Sequence, residues 1–353
     1  MPPKRRVPPP PDPFKPRARG SLLGLAVGDA LGAPLKGRRL AAPAFPSLAN
    51  GPHPQLLLRA EPGALKPGQV TAETHRACCV AAGLREAARY DAEDLRMRYA
   101  RWGEAKLGAG LSPNAHLSAV LAFVPAHAAS RMVWQQSGRN AADNGCLSRT
   151  VPLAVFFARE DKARLTACFE DAGLTHFDPR CQLACATVNG AIAWALRAPG
   201  QSTPEALLLA AQKALTLAAP ELARALPEHV REVSDAAALL REDLQAAREP
   251  DPLLYGPDLH LHKMESFVRV TFRLAFWELL HAPSLEAAVV DLVNRGGDTS
   301  ANAALAGALW GALQGEQAIP EAWRTYVLES LEGARGPLAE RYHPRELLAL
   351  VPA

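Results

Sequence analysis

The stretch GGDTSANAALAGALWGAL, residues 296–313, decides how the fold of this 353-residue chain is interpreted. Two glycines form a turn, Asp298 follows them, and small residues dominate the run that comes next. Because short side chains let helix axes approach, the pattern predicts a closely packed helix over 299–313. Unpaired backbone donors and the positive end of the helix dipole lie at its start. Asp298 therefore stands where either a helix cap or a cation-binding carboxylate is expected.

The helical pattern extends over almost the entire chain. From Gly20 onward, apolar residues return every three or four positions, with short breaks at Gly, Pro, Asn or Asp, and no segment alternates strictly enough to predict a strand. We expect an all-α fold, a compact single-domain orthogonal helical bundle over residues 20–353. The clearest predicted helices are 71–90, 92–107, 180–196, 204–217, 228–248, 264–281, 285–294 and 299–313.

Three segments look peripheral to this bundle. Residues 1–19 are basic and proline-rich and lack the apolar core of a secretory signal, which predicts an extended, mostly disordered leader. Residues 35–69 have no period and predict a long loop over one end of the bundle. Residues 249–263 are interrupted by prolines and predict a lid or rim, in which His260 and His262 are expected to be exposed to solvent.

Composition narrows the classes of protein to which the chain can belong. Hydrophobic residues make up 48% and charged residues 21%, and the apolar stretches are broken by charges or fall short of the roughly 20 residues that cross a bilayer, so we expect no membrane partner. The net charge is +3, with much of the basic excess in the leader, which argues against a nucleic-acid groove as the main function. Six scattered cysteines without CxxC pairs indicate free thiols in a reducing cytoplasm, so we expect a cytoplasmic protein.

Polar residues mark three predicted helix starts. Thr71 and Glu73 begin one helix, Asn144 and Gly145 another, and Asp298 a third. Helix N-termini attract anions, so three of them converging would form a pocket suited to phosphate. Each residue alone could equally be a cap that stabilises its helix by about 1 kcal/mol.

Two further segments, GSLLGLAVGDALGAPLKG at 20–37 and GQVTAETHRACCVAAGL at 68–84, join residues 296–313 in a recognisable set. Together they resemble the three signature regions of the ADP-ribosylglycohydrolase family, which includes the dinitrogenase reductase activating glycohydrolases and the ADP-ribosyl-arginine and ADP-ribosyl-serine hydrolases. The resemblance extends over about residues 20–323, in the family's order. It implies the fold of that family and, as partners, ADP-ribose or an ADP-ribosylated small molecule or protein.

The resemblance also implies a metal site in which several expected ligands are missing. The family holds two magnesium ions between a Thr-Asp-Asp-Thr segment, which falls on 71–74, and an Asp-x-Asp-(Thr/Asp) segment, which falls on 298–301, with a Glu at the position of Lys36. Thr71 and Asp298 match the family, Glu73 is a longer carboxylate in place of Asp, and the expected group is lost at four positions, Ala72, Ser300, Ala301 and Lys36. The metal-binding candidates that remain are Thr71, Glu73, Asp298 and the hydroxyl of Ser300. By the same resemblance, the catalytic positions are Glu73, Asp298 and Lys36.

Charge limits what this site can bind. Two carboxylates carry too little negative charge to offset the repulsion between two adjacent magnesium ions, so we expect at most one weakly bound magnesium ion, or none. If Lys36 points inward, its ammonium would pair with Glu73 and Asp298, and a fixed cation would replace an exchangeable one.

The remaining family motifs are better matched. DNGCLSRTVPLAVFF resembles the family's Asn-Gly-x-x-x-Arg-x-x-Pro segment, and LTHFDPRCQLAC resembles its Thr-His segment. The ligand-binding candidates are Asn144, Gly145, Arg149, Thr175, His176 and Asp29. Gly145 would let backbone amides approach a diphosphate, and His176 could hydrogen-bond ribose or phosphate. Three of these residues have structural alternatives: an ordinary helix-entry His176, an Arg149 paired with a buried carboxylate, and an Asp29 buried between helices.

Two functions remain open at this point. The first is an ADP-ribosyl-acceptor hydrolase with an altered or single-metal site, in which Glu73 and Asp298 activate a water molecule. The second is a non-catalytic member that binds ADP-ribose or an ADP-ribosylated partner, or that keeps only the fold as an interaction surface. An inward Lys36 within reach of Glu73 and Asp298 would favour loss of metal-dependent hydrolysis.

Overall fold

The computed structural model describes residues 13–39, 65–66, 68–104, 125–198, 200, 202–330 and 340–351. These residues form α-helices joined by turns and short 3-10 segments and contain no strand, which confirms the predicted all-α fold. The α-helices of this part of the chain are α1 (Phe14–Gly32), α2 (Ala72–Ala87), α3 (Ala92–Glu104), α4 (Ala126–Gln136), α5 (Val151–Phe156), α6 (Asp161–Thr175), α7 (Pro179–Arg197), α8 (Pro204–Ala225), α9 (Val230–Ala246), α10 (Val268–His281), α11 (Leu285–Arg295), α12 (Thr299–Gln314), α13 (Glu321–Glu329) and α14 (Pro344–Leu348).

The pairing of α1 with α12 is the most extensive helix contact and forms the centre of the bundle. The two helices run antiparallel with their backbones in contact, because a Cβ atom on Gly24 or on Gly307 would lie 2.2 Å from the carbonyl oxygen of the other residue. At one end of the pair, Thr299 Oγ1 donates a hydrogen bond of 2.6 Å to the carbonyl of Gly32. This contact sets the end of α1, with Lys36 just beyond it, beside the start of α12, where Asp298 lies.

Each of the predicted helices is present, although several ends differ. Helix α8 continues past the predicted end at 217 to Ala225, and α10 begins at Val268 rather than at 264. Within the described residues, α8 is also the one helix that is long and apolar enough to cross a bilayer by length and composition, with a mean hydropathy of 1.2 in its most apolar window. Of that window, 39% is buried, and α8 packs against α7 and α9.

The predicted leader is shorter than the sequence suggested. Helix α1 begins at Phe14, so residues 14–19 are helical rather than extended. The reason is a buried anchor: the Arg17 guanidinium donates hydrogen bonds of 2.8 Å to the carbonyls of Ala195 and Ala198, at the C-terminal end of α7. Those carbonyls have no partner within their own helix, so Arg17 stabilises both elements. Residues 1–12 lie outside the described residues.

Of the two segments predicted as a loop and as a lid or rim, the structure describes mainly the second. Most of the predicted loop 35–69 lies outside the described residues. In the segment 249–263, Leu254, Leu259 and Leu261 are buried, so this segment belongs to the packed body rather than standing away from it as a lid. The prediction that His262 is exposed is wrong: its ring is buried, and Nε2 lies 2.9 Å from the carbonyl of Arg295. All six cysteines are free and buried.

Candidate functional site

The candidate site lies where the segment after α1 meets the starts of α2 and α12. Gly296 and Gly297 adopt φ angles of +79° and +71°, which favour glycine, and their turn delivers Asp298 to the N-terminus of α12. This turn is fastened to the residues after α1 by two backbone hydrogen bonds, Gly37 N to Gly297 O at 2.8 Å and Gly297 N to Arg38 O at 2.9 Å. The backbone itself therefore holds Lys36 beside Asp298.

Lys36 points into the site. Its Nζ lies 2.8 Å from Asp298 Oδ1, and 51% of its side chain stays exposed while Asp298 is buried. Burial lowers the pKa of Lys36, and the negative charges of Asp298 and Glu73 raise it. The upward effect is the larger one, so the pKa lies above the ordinary value of lysine. The ammonium is thus charged at neutral pH. The other oxygen of Asp298, Oδ2, accepts a hydrogen bond of 3.2 Å from Asn144 Nδ2.

Glu73 is paired with a cation that the sequence analysis missed. Arg76 Nη2 lies 2.7 Å from Glu73 Oε1, its Nε donates to the carbonyl of Ala72, and its guanidinium lies over the ring of Trp102. Burial raises the pKa of Glu73, Arg76 and Lys36 lower it, and the outcome is above the ordinary value. The spacing of Glu73 and Arg76, three residues apart on one helix, was the available signal.

The turn at Asn144 and Gly145 does not offer its amides to a ligand. Gly145 N donates to Asp143 Oδ1 at 3.0 Å, and Asn144 N donates to the carbonyl of Ser266 at 2.7 Å. The predicted diphosphate contact through these amides is therefore wrong. Glycine is needed at 145 for another reason, since a Cβ atom there would lie 2.7 Å from Arg76 Nη1. The glycine makes room for the guanidinium that neutralises Glu73.

Three other ligand-binding candidates, Arg149, Thr175 and His176, are buried and bonded to protein groups. His176 is completely buried, with Nε2 2.5 Å from Asp143 Oδ1 and Nδ1 2.6 Å from Thr175 Oγ1. Arg149 donates to the same Thr175 hydroxyl at 2.7 Å and pairs with buried Asp171 at 2.7 Å. The structural alternative for Arg149 is thus the correct one. Direct hydrogen bonds from His176 to ribose or phosphate are excluded in this conformation, because protein groups face both ring nitrogens.

Asp29 is also structural rather than ligand-binding. It is fully buried, and its carboxylate accepts four hydrogen bonds from the start of α2: from the amides of Thr71 and Thr74 at 2.7 and 3.1 Å, and from their hydroxyls at 2.5 and 2.7 Å. Burial raises its pKa and these hydrogen bonds lower it, leaving it above the ordinary value. Asp29 ties α1 to α2 and caps α2, so it fixes the position of Glu73.

The donor set does not fit a two-magnesium centre. Three of the four carboxylate oxygens of Glu73 and Asp298 are taken by Arg76, Lys36 and Asn144, and only Glu73 Oε2 has no hydrogen-bond partner among the described residues. Ser300 Oγ lies 3.4 Å from Asp298 Oδ1. The part of the chain that the structure describes contains no group of three or more His, Cys, Asp or Glu side chains placed to hold a metal ion. Magnesium requires near-octahedral oxygen coordination, which these residues do not supply.

A sequence profile described as ADP-ribosylglycohydrolase matches residues 10–349. The chain belongs to this family. The ADP-ribosylglycohydrolase fold thus places its helix starts where the signature segments predicted them. Two cations, Lys36 and Arg76, pair with its two remaining carboxylates.

Three relatives agree with this assignment over most of their length. A candidate ADP-ribosyl glycohydrolase, L543, from Acanthamoeba polyphaga mimivirus is 27% identical over 332 residues, which cover 88% of this chain and 91% of the relative. The ADP-ribosylarginine hydrolase Tri1 of Serratia proteamaculans (strain 568) is 22% identical over 313 residues, covering 87% and 74%. A solved structure titled "ADP-ribosylglycohydrolase-related protein complex" superposes with a TM-score of 0.61 at 25% identity, covering 96% of this chain and 98% of that chain.

The contact between Asp143 and His176 leads to a pH-dependent prediction. Burial lowers the pKa of His176, but the charges of Asp143 and Cys146 raise it above the ordinary value. A histidine whose pKa is raised on folding stabilises the protein fully below about pH 6.5, and this contribution disappears as the pH rises through the folded-state pKa. Asp143→Asn should therefore lower the free energy of unfolding more at acidic than at alkaline pH. Urea denaturation of both proteins across this range measures the difference, and a cost independent of pH would contradict it.

Proposed function

We propose that this ADP-ribosylglycohydrolase family member binds ADP-ribosyl groups without magnesium and does not carry out magnesium-dependent hydrolysis. The observation that supports this most directly is the contact of 2.8 Å between Lys36 Nζ and Asp298 Oδ1. The Lys36 ammonium beside the Asp298 carboxylate supplies the positive charge that an exchangeable ion would otherwise bring. The pairing of Arg76 with Glu73 does the same for the second carboxylate.

Electrostatics disfavour a metal ion in this cluster. Glu73 and Asp298 contribute two negative charges and Lys36 and Arg76 two positive charges, so the ionised cluster is neutral without any ion. A magnesium ion held between the two carboxylates would have to displace Lys36 or Arg76. Displacing Arg76 would break a buried pair and leave an uncompensated charge. The same pairing disfavours catalysis, because Glu73 Oε1 and Asp298 Oδ1 contact Arg76 and Lys36 and are not free to accept a proton from an attacking water molecule.

The site retains groups that suit a diphosphate. Lys36 has three N–H donors, one of which faces Asp298, and half of its side chain is exposed to solvent. Asp29 already accepts hydrogen bonds from the amides at the start of α2, so the attraction of the site for an anion comes mainly from Lys36. Binding of this kind is largely electrostatic, so it needs no cation and should weaken as salt rises.

Calorimetry with ADP-ribose tests the proposal. We expect binding in the presence of a chelator, no gain on adding magnesium, and an affinity about 10-fold lower in Lys36→Ala, the scale expected for one charge-assisted hydrogen bond. Arg231→Ala is the control, since it removes a cation of α9 that is 92% exposed and contacts none of the site residues, and it should leave the affinity unchanged.

Two results would contradict the proposal. One relative is named an ADP-ribosylarginine hydrolase, so ADP-ribosylarginine is the substrate to use in a hydrolysis assay. Release of free ADP-ribose that requires magnesium would show that the hydrolase activity survives. Absence of ADP-ribose binding at millimolar concentration would instead leave the fold with an interaction role only.

A further inference from the structure

A second cavity lies between α6, α7 and α8, away from the candidate site. Its volume is about 710 Å³, and none of the site residues lines it. Small residues of α7, including Gly190, form its floor, while Leu165 and Phe169 of α6 and Leu217 of α8 form its sides. Trp194 lines it as well. The cavity exists because close packing of α7 on α8, where a Cβ on Gly190 would lie 2.4 Å from the Cβ of Ala214, leaves short side chains between the flanking helices.

The walls expose apolar surface that folding has not covered. Leu217 is 66% exposed, and Leu165, Phe169 and Trp194 are only partly buried. Covering apolar surface stabilises a complex by about 25 cal/mol for each Å² removed from water. A ligand with an apolar body would therefore gain free energy from entering this groove, whose volume lies within the range of small-molecule pockets.

The charged side chains around the groove carry a net positive charge. Five basic and three acidic side chains line it, an excess of two positive charges. Most of these are paired: Asp161 lies 2.7 Å from Arg164 and 3.3 Å from Arg197, and Glu221 lies 2.7 Å from Arg224.

Two lysines of the lining lie outside these ion pairs. Lys162 and Lys213 form no ion pair with any residue in the described ranges. The third acidic residue of the lining, Glu170, forms no ion pair with either lysine, and burial raises the pKa of its carboxyl. The groove thus combines an apolar floor and walls with ammonium groups that have no carboxylate partner.

We propose that this groove binds an amphipathic organic anion, an aliphatic or aromatic body that carries a carboxylate, sulfonate or phosphate group. The apolar body lies against Phe169, Trp194 and Leu217, and the anionic group pairs with Lys213 or Lys162. The proposal is independent of ADP-ribose binding, since the two sites share no residue.

Fluorescence titration with anilinonaphthalene sulfonate tests this inference, with dodecanoate as the competitor. The wild-type protein should bind the dye at a single class of sites and release it to dodecanoate. Lys213→Glu and Leu217→Glu should each weaken dye binding by about 10-fold. The first replaces the ammonium that pairs with the sulfonate by a carboxylate, and the second places a charge on the apolar wall. Both positions are exposed, so both variants should keep the wild-type circular dichroism spectrum and melting temperature.

Matched controls separate the groove from the rest of the surface. Leu209→Glu changes an apolar residue on the same helix that is 49% exposed but does not line the groove, and Lys263→Glu reverses an exposed lysine elsewhere. Both should bind dye as the wild type does. Wild-type affinity in Lys213→Glu and Leu217→Glu would overturn the proposal. An equal loss in Leu209→Glu would also overturn it, because the dye would then lie on the outer face of α8.

Discussion

Gly307→Ala should lower the free energy of unfolding by about 3 kcal/mol or more, although alanine is normally the better helix former. The added Cβ would lie 2.2 Å from the carbonyl oxygen of Gly24, and backbone atoms on both sides of the contact leave no flexible group to move. Helices α1 and α12 would have to separate. The pair of Lys36 and Asp298 depends on their contact, so the fraction that still folds should also bind ADP-ribose more weakly.

Urea denaturation monitored by circular dichroism measures this effect. Gly256→Ala is the matched control, because a Cβ atom there meets nothing within 4 Å, and its stability should stay close to that of the wild type. Equal stability of the two variants would show that α1 and α12 are not packed at backbone contact.

Arg149→Met should lower the free energy of unfolding by about 3 to 5 kcal/mol, the usual cost of removing one partner of a buried ion pair. Arg149 and Asp171 are 1% and 0% exposed, and Asp171 also accepts a hydrogen bond of 2.7 Å from Tyr99. Without the guanidinium, the carboxylate of Asp171 would remain buried and uncompensated. Thr175 would lose its hydrogen bond from Arg149 as well, and with it part of the support for His176.

A double variant identifies the cause. Adding Asp171→Leu to Arg149→Met removes the stranded charge and should recover much of the lost stability. Arg224→Met, which breaks an exposed pair with Glu221, should have little effect. If Arg149→Met instead keeps its stability and loses affinity for ADP-ribose, then Arg149 contacts the ligand, as the sequence motif alone suggested.

The sequence by itself determined the fold class, the family and the positions of the helices around the site. Apolar periodicity is a local property, so segments such as 299–313 could be recognised as helices without knowing what they pack against. The signature segments also identified Glu73, Asp298 and Lys36 as the residues to compare with a metal site, and the mismatch in charge could be read directly from their side chains.

Only the tertiary structure decided which of the polar candidates are buried and bonded to other protein groups. Asp29, Arg149, Thr175 and His176 match family motifs, yet each is buried and hydrogen-bonded to protein groups.

Sequence spacing gave no access to these partners, because they come from elements that are distant along the chain. Arg76 shares a helix with Glu73, but the room for its guanidinium comes from Gly145 on another segment. Thr299 and Gly32 are 267 residues apart, and their contact is what brings Lys36 to Asp298. The local sequence pattern determines which residues are helical, whereas long-range packing determines which charged side chains come into contact. In this protein that packing places the cations Lys36 and Arg76 against the carboxylates of the site.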